Sequence, residues 1–121
     1  MPNAAKKPVA PRVNFVACDD RNLSVHLADG RQLLLPLEWY PRLKHGSPAE
    51  RNNWRLIGNG EGVHWPDLDE DLSVDGFIAG RKSGESPEMF RFWLENKNRG
   101  RLVTIADFLK HRGKVRRRKS A

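Results

Sequence analysis

Leu23-Ser24-Val25-His26-Leu27-Ala28-Asp29-Gly30-Arg31-Gln32-Leu33-Leu34-Leu35-Pro36 is the stretch whose reading decides the fold. Leu23, Val25 and Leu27 alternate with polar residues, which places them on one face of a strand and His26 on the other. Asp29-Gly30 supplies the positive-φ pair that a type I′ hairpin turn requires, so the chain returns as a second strand from Arg31 until Pro36 ends it. Upstream, Val13-Asn14-Phe15-Val16-Ala17-Cys18 reads as a further strand, which makes an antiparallel meander.

Beyond Pro36, Glu38-Trp39-Tyr40-Pro41-Arg42-Leu43 is too short for more than one helical turn, with Trp39 and Leu43 at helical spacing and Trp39 as a lid on the sheet. Ser47-Pro48-Ala49-Glu50 spells a capping box, predicting a short helix from Pro48 to about Asn53. Trp54-Arg55-Leu56-Ile57 and Val63-His64-Trp65 form two short strands joined by Gly58-Asn59-Gly60-Glu61-Gly62. That glycine-rich turn could cradle a phosphate only if a helix followed it, and a strand follows.

The chain has 121 residues, 38% of them hydrophobic and 31% charged, which limits it to one modest core and an appendage. A disordered leader over 1–11, a small α+β domain over 12–80 and a basic helical extension with a disordered tail over 81–121 account for the length. Cys18 is the single cysteine, so an intramolecular disulfide and a cysteine-cluster zinc site are excluded. No stretch approaches the ~20 apolar residues of a membrane span, and no secretory h-region follows Met1, so a cytoplasmic location is expected.

Gly60 to Gly80 is acidic and anchored by Trp65. Asp67, Asp69, Asp71, Ser73 and Asp75 occupy alternate positions of a calcium-type loop, but Leu72 and Ile78 stand where an EF-hand needs its sharp-turn glycine and its bidentate glutamate. Pro66-Asp67 with the distant Glu95-Asn96-Lys97 matches a metal-dependent nuclease pattern loosely, although Glu95 and Lys97 diverge on a helix. A structural reading has Asp67 and Asp69 accepting backbone N–H bonds, Ser73 or Asp71 capping a helical turn from about Val74, and Leu68, Leu72, Phe77 and Ile78 facing inward. His26, His45, His64 and His111 show no metal-ligand spacing, and neither a catalytic residue, a cofactor nor a metal site is expected.

After Gly80 the charge changes sign: residues 1–80 hold nine Lys/Arg against eleven Asp/Glu, and residues 81–121 hold thirteen against four. Ser86-Pro87 predicts a helix from Pro87 to about Asn98, with Met89, Phe90, Trp93 and Leu94 on one face and Gly100 beyond its end. Thr104-Ile105-Ala106-Asp107 starts a second helical piece carrying Ile105, Phe108 and Leu109, and Gly113 releases the tail. Arg112, Lys114, Arg116, Arg117, Arg118 and Lys119 are the candidate contacts for DNA, RNA or an acidic partner. Phe90, Trp93 and Phe108 are the candidate exposed anchors for a protein partner.

Asp29-Gly30-Arg31, Pro36-Leu37-x-Trp39-x-Pro41-Arg42-Leu43, Arg51-x-x-Trp54 and the run from Gly62 through His64-Trp65-Pro66-Asp67 to Gly76 resemble the bacterial domain of unknown function 2442 over about residues 12–80. The resemblance implies a small α+β fold, a mostly antiparallel sheet made of a meander plus a hairpin with short helices, followed here by two short C-terminal helices and a basic tail. Similar domains precede a repressor-like helix-turn-helix or are encoded beside a small toxin-like protein, which implies an antitoxin-like or regulatory role. This chain departs from that pattern after Gly80. The expected function is therefore a non-catalytic binding module that docks a toxin-like protein; the alternative is a small magnesium- or calcium-dependent enzyme or metal-binding protein using the 67–75 carboxylates.

Overall fold

A computed structural model describes residues 10–100 and 106–111. The leader (up to residue 9) and the tail from residue 112 onward lie outside the described residues, as do the start of the second C-terminal helical piece and Ile105. The chain divides between Ser83 and Gly84 into two compact units. The first is α+β, with two three-stranded antiparallel sheets and several short helices.

The first sheet is the expected meander, β1 Val13–Cys18, β2 Asn22–Leu27 and β3 Gln32–Pro36, in the order β1-β2-β3. Leu23, Val25 and Leu27 are buried on its inner face, as their alternation requires. Strand β1 breaks strict alternation because Val13 faces Leu27 while Phe15 faces His26, a bulge that inserts Asn14 and lets Val13 and Val16 both point inward. The β1–β2 turn is fixed locally: the Asp19 carboxylate accepts the backbone N–H groups of Arg21 and Asn22 at 2.8 and 2.6 Å, which holds its pKa below the usual carboxylate range.

The β2–β3 connection corrects the type I′ expectation. Gly30 has φ +93°, but among described non-glycine residues only Asp69 has a positive φ. Gly30 N–H donates to the Leu27 carbonyl at 3.0 Å and Leu27 N–H to the Arg31 carbonyl at 2.8 Å, so the loop has three residues with a left-handed glycine closing it. The Asp29 carboxylate accepts from both Arg31 N and Arg31 Nε at 3.0 and 2.9 Å. That local bonding takes over the role that a second positive-φ residue would have played.

A 3-10 turn, Leu37–Trp39, and helix α1, Pro41–His45, follow. They bury Leu37, Tyr40 and Leu43 rather than Trp39, which is half-buried with the Lys82 ammonium over its ring at 5.9 Å. Proline at the start of α1 resets the phase of the helix, so Tyr40 takes the core position that simple spacing assigns to its neighbour. Helix α2, Pro48–Asn52, carries both reciprocal bonds of the capping box, Glu50 N to Ser47 Oγ at 3.1 Å and Ser47 N to Glu50 Oε1 at 2.9 Å.

The second sheet contains β4 Arg55–Ile57, β5 Gly62–Trp65 and β6 Glu70–Ser73, in the order β4-β5-β6. Strand β6 was not foreseen, because Glu70-Asp71-Leu72-Ser73 has the composition of a turn. It is a strand because β5, buried at Val63 and Trp65, needs a hydrogen-bonding neighbour on its second edge. A 3-10 turn, Pro66–Leu68, joins the two and buries Leu68, while Asp69 takes a left-handed conformation at φ 48°. Ser73 Oγ then accepts from Gly76 N at 3.0 Å and caps helix α3, Val74–Ala79, which buries Val74 and Phe77 and leaves Ile78 41% exposed.

A main-chain bond ties the two sheets together, Val13 N–H donating to the Gly60 carbonyl at 2.8 Å, while Val74 N–H donates to the Glu61 carbonyl at 2.9 Å and carries the β5–β6 ladder on to the start of α3. The unit also runs past Gly80, for Arg81 N–H bonds to the Gly76 carbonyl and Ser83 N–H to the Trp39 carbonyl, at 2.9 and 3.1 Å. In the second unit, α4 spans Pro87–Asn98 as expected, with Ser86 Oγ accepting from Met89 N at 3.1 Å and Gly100 beyond its end at φ 75°. A second helical stretch covers 106–111.

Candidate functional site

The acidic residues of 67–75 do not converge. Asp67 Oδ2 accepts from Asn53 Nδ2 at 2.9 Å, so it ties the end of α2 to the 3-10 turn instead of capping a backbone N–H. Asp69 is turned toward Arg42, whose Nη1 donates to the Asp69 carbonyl at 2.8 Å and lies 3.6 Å from its carboxylate. Asp71 projects from β6 onto the imidazole of His64, with Oδ1 against Nδ1. Among the described residues no group of three His, Cys, Asp or Glu side chains is placed to hold a metal ion. Alternation along the sequence becomes divergence in space because a left-handed residue and a strand lie inside the run.

The His64–Asp71 contact is a feature that spacing does not reveal. The two residues face each other in the β5–β6 register, and Arg55 of β4 faces His64 from the other side, so a cation, an imidazole and a carboxylate form one row across the sheet. A carboxylate on Nδ1 orients an imidazole as acid–base pairs require, but the described residues give His64 no hydrogen-bonded nucleophile. The row works as a cross-strand polar clamp.

Cys18 is half-buried at the end of β1, and burial pushes its thiol up to about 11, against a partial opposing pull from Arg51. A thiol raised in this way is neutral at physiological pH. Its preference for the folded state is fully present below the ordinary thiol pKa of 9.0 and is lost as pH rises through about 11. Alkylation at neutral pH should therefore run about a hundredfold slower in the folded chain than in the chain unfolded in urea, measured by iodoacetamide kinetics. Equal rates would show that the thiol is neither buried nor shifted.

The partner anchors need correction. Trp93 is 2% exposed and Phe108 6%, and Phe90 is half-buried. Trp93 stacks on Phe90 with ring centroids 5.9 Å apart and lies under the Lys97 ammonium, while Phe92, which the helical face did not single out, meets Phe108 at 5.7 Å and His111 at 4.8 Å. Aromatic side chains so close together cover one another, leaving little area for a partner. Arg112, Lys114, Arg116, Arg117, Arg118 and Lys119 lie outside the described residues.

Apolar side chains are exposed instead on the outer face of the first sheet. Phe15 is 48% exposed and Leu34 67%, and Phe15 meets the rings of His26 and Trp54 edge-on, each at 5.5 Å. The described residues also line a cleft of about 290 Å³ between β6, α3 and the 81–83 segment, with Tyr40 among its lining side chains.

The meander, the second sheet and the capped α3 together cover the span over which a family profile, described as Protein of unknown function (DUF2442), matches: residues 13–83. The chain belongs to the DUF2442 family. Its family span closes at Ser83, where the first unit also ends. A crystallised protein of unknown function from Rhodospirillum rubrum is similar to this DUF2442 chain at 29% identity and a TM-score of 0.55, over 66% of this chain and 98% of that one. An uncharacterized protein of Chromobacterium violaceum, solved by NMR in solution, shares the fold at 20% identity and a TM-score of 0.52, over 67% of this chain and 74% of its own. No curated protein matches the chain.

Proposed function

We propose that this DUF2442 chain is a non-catalytic regulatory binding module, antitoxin-like in kind, whose first unit docks a protein partner and whose second unit contacts nucleic acid. The observation that carries this reading is where the charge lies. Residues 1–83 hold eleven Lys/Arg and eleven Asp/Glu, whereas residues 84–121 hold eleven against four, so the second unit accounts for the whole net charge of +7. A charge confined to one unit, with six of its cations between Arg112 and Lys119, matches a polyanion better than a compact site. Exposed Phe15 and Leu34 support a protein contact on the first unit, toxin-like in the family analogy. No described helix is long and apolar enough to cross a membrane, and the reading places the protein in the cytoplasm.

The test compares duplex DNA binding by the parent with a variant in which Arg112, Lys114, Arg116, Arg117, Arg118 and Lys119 are all changed to Gln. Each phosphate contact contributes close to one unit to the slope of log affinity against log salt, so the variant should bind about a hundredfold more weakly at low salt and with a visibly flatter slope. An unchanged slope removes the segment from the account. Loss of an acidic protein partner, with no DNA binding by the parent, would transfer the segment to that partner.

A further inference from the structure

Leu33-Leu34-Leu35 is an unbroken apolar run on a strand at the edge of its sheet. A strand with one wet face alternates, but here Leu35 is buried and its neighbour Leu34 stands in solvent at 67% exposure. Edge strands ordinarily carry a charge that blocks further pairing, and Gln32–Pro36 carries none. The opposite edge of the sheet, β1, is occupied, for Val13 N–H bonds to the Gly60 carbonyl and α2 lies against the strand.

The direction of the main-chain groups along β3 follows from its register. Leu27 N–H bonds to the Arg31 carbonyl and Leu37 N–H to the Arg21 carbonyl, so the hydrogen-bonded pairs with β2 fall at the odd-numbered residues, Leu33 and Leu35 among them. Gln32, Leu34 and Pro36 therefore turn their main-chain groups away from β2, and each of these residues is exposed. Among the described residues no hydrogen bond reaches the N–H groups of Gln32 and Leu34.

We infer that β3 pairs with β3 of a second copy of this chain, antiparallel about a two-fold axis at Leu34. The N–H and carbonyl of Leu34 then exchange bonds with those of Leu34 in the second copy, and each Gln32 N–H donates to the Pro36 carbonyl across from it. Every N–H on the outer edge finds an acceptor, and the ladder ends where Pro36 has no N–H to give. Shifting one strand by two residues would set Leu34 against Gln32 and Leu35 against Arg31, whereas the register centred on Leu34 matches Leu34 with itself and Leu33 with Leu35. Such pairing uses up the same edge in both copies, so assembly closes at a dimer. Residues 1–83 hold eleven Lys/Arg and eleven Asp/Glu, so two first units meet without net repulsion. Only first-unit residues take part, so the inference stands apart from the nucleic-acid reading, and Phe15, two strands away on β1, is left for a protein partner.

One strand pair covers less than the ~1,200 Å² of a standard interface, which calls for a weak dimer. Sedimentation velocity of the full chain without nucleic acid, at ~0.15 M salt to screen the second unit, should show monomer passing to dimer with a Kd on the order of 100 μM. Leu34→Lys sets like charges face to face at the axis and should weaken the dimer tenfold or more, with an unchanged circular dichroism spectrum because the side chain is exposed. An equimolar mixture of Leu34→Lys and Leu34→Glu should pair again, since residue 34 of one copy meets residue 34 of the other. Hydrogen exchange at the Gln32 and Leu34 amides should slow about fivefold when the parent is raised to about ten times its Kd. A parent that stays monomeric at millimolar concentration leaves the edge to a strand of another protein and overturns the inference. Undiminished pairing by Leu34→Lys overturns the choice of edge, and no pairing in the mixture overturns the register.

Discussion

Replacing Gly60 with alanine should cost about 3 kcal/mol or more, from the sum of a strained backbone and a steric overlap. Gly60 sits at φ +94°, a conformation that side chains resist, and a Cβ there would lie 2.4 Å from the Val13 carbonyl oxygen and 3.0 Å from the Val13 nitrogen. Both neighbours are backbone and cannot rotate away. The same contact carries the Val13 N–H bond to the Gly60 carbonyl at 2.8 Å, so relieving the clash separates the two sheets. The control is Gly30→Ala, which shares the positive φ of +93° but meets nothing within 4 Å, and should cost only about 1 kcal/mol. Urea denaturation of both variants decides the matter: equal midpoints would mean that the close approach to Val13 has no energetic weight.

Changing Arg51 to methionine should destabilise the fold by about 3 kcal/mol despite similar bulk, because it removes a buried charged donor and strands its acceptors. Arg51 is 8% exposed, and its guanidinium donates to the Leu43 carbonyl through Nε and the Lys44 carbonyl through Nη2, both at 2.7 Å, with the exposed Asp20 carboxylate 3.3 Å from Nη1. These are the end carbonyls of α1, so the side chain acts as that helix's C-terminal cap. The Arg51 carbonyl in turn accepts from Trp65 Nε1 at 3.1 Å, which links α2 to the second sheet. Arg51→Lys keeps the charge but reaches one carbonyl at a time, and should recover less than half of the loss in calorimetry. Full recovery by lysine would reduce the fork geometry to simple charge.

What could be read in the chain follows from how local each cause is. The meander was legible because Leu23, Val25 and Leu27 alternate and Gly30 marks the return; α2 and α4 were legible because Ser47-Pro48 and Ser86-Pro87 state their own starts. Strand β6 was not, since its pairing answers a need of β5 and not a preference of Glu70 or Asp71. For the same reason the calcium-like alternation dissolved: where a carboxylate points depends on the left-handed Asp69 and on strand register. Helical spacing identified the apolar side of α4 but could not say that Trp93 would be covered by its own neighbours. The cleft joins Tyr40 to Arg81, and only the return of the 81–83 segment to Trp39 puts them together.

The even balance of acids and bases in residues 1–83 has a colloidal side. A protein body with no net charge near neutrality lacks the mutual repulsion that keeps molecules apart in concentrated solution, and it shows Phe15 and Leu34 on its surface. The cationic second unit supplies that repulsion for the family domain. If it contacts nucleic acid as proposed, neutralisation would remove the repulsion and let bound molecules crowd together along the same strand.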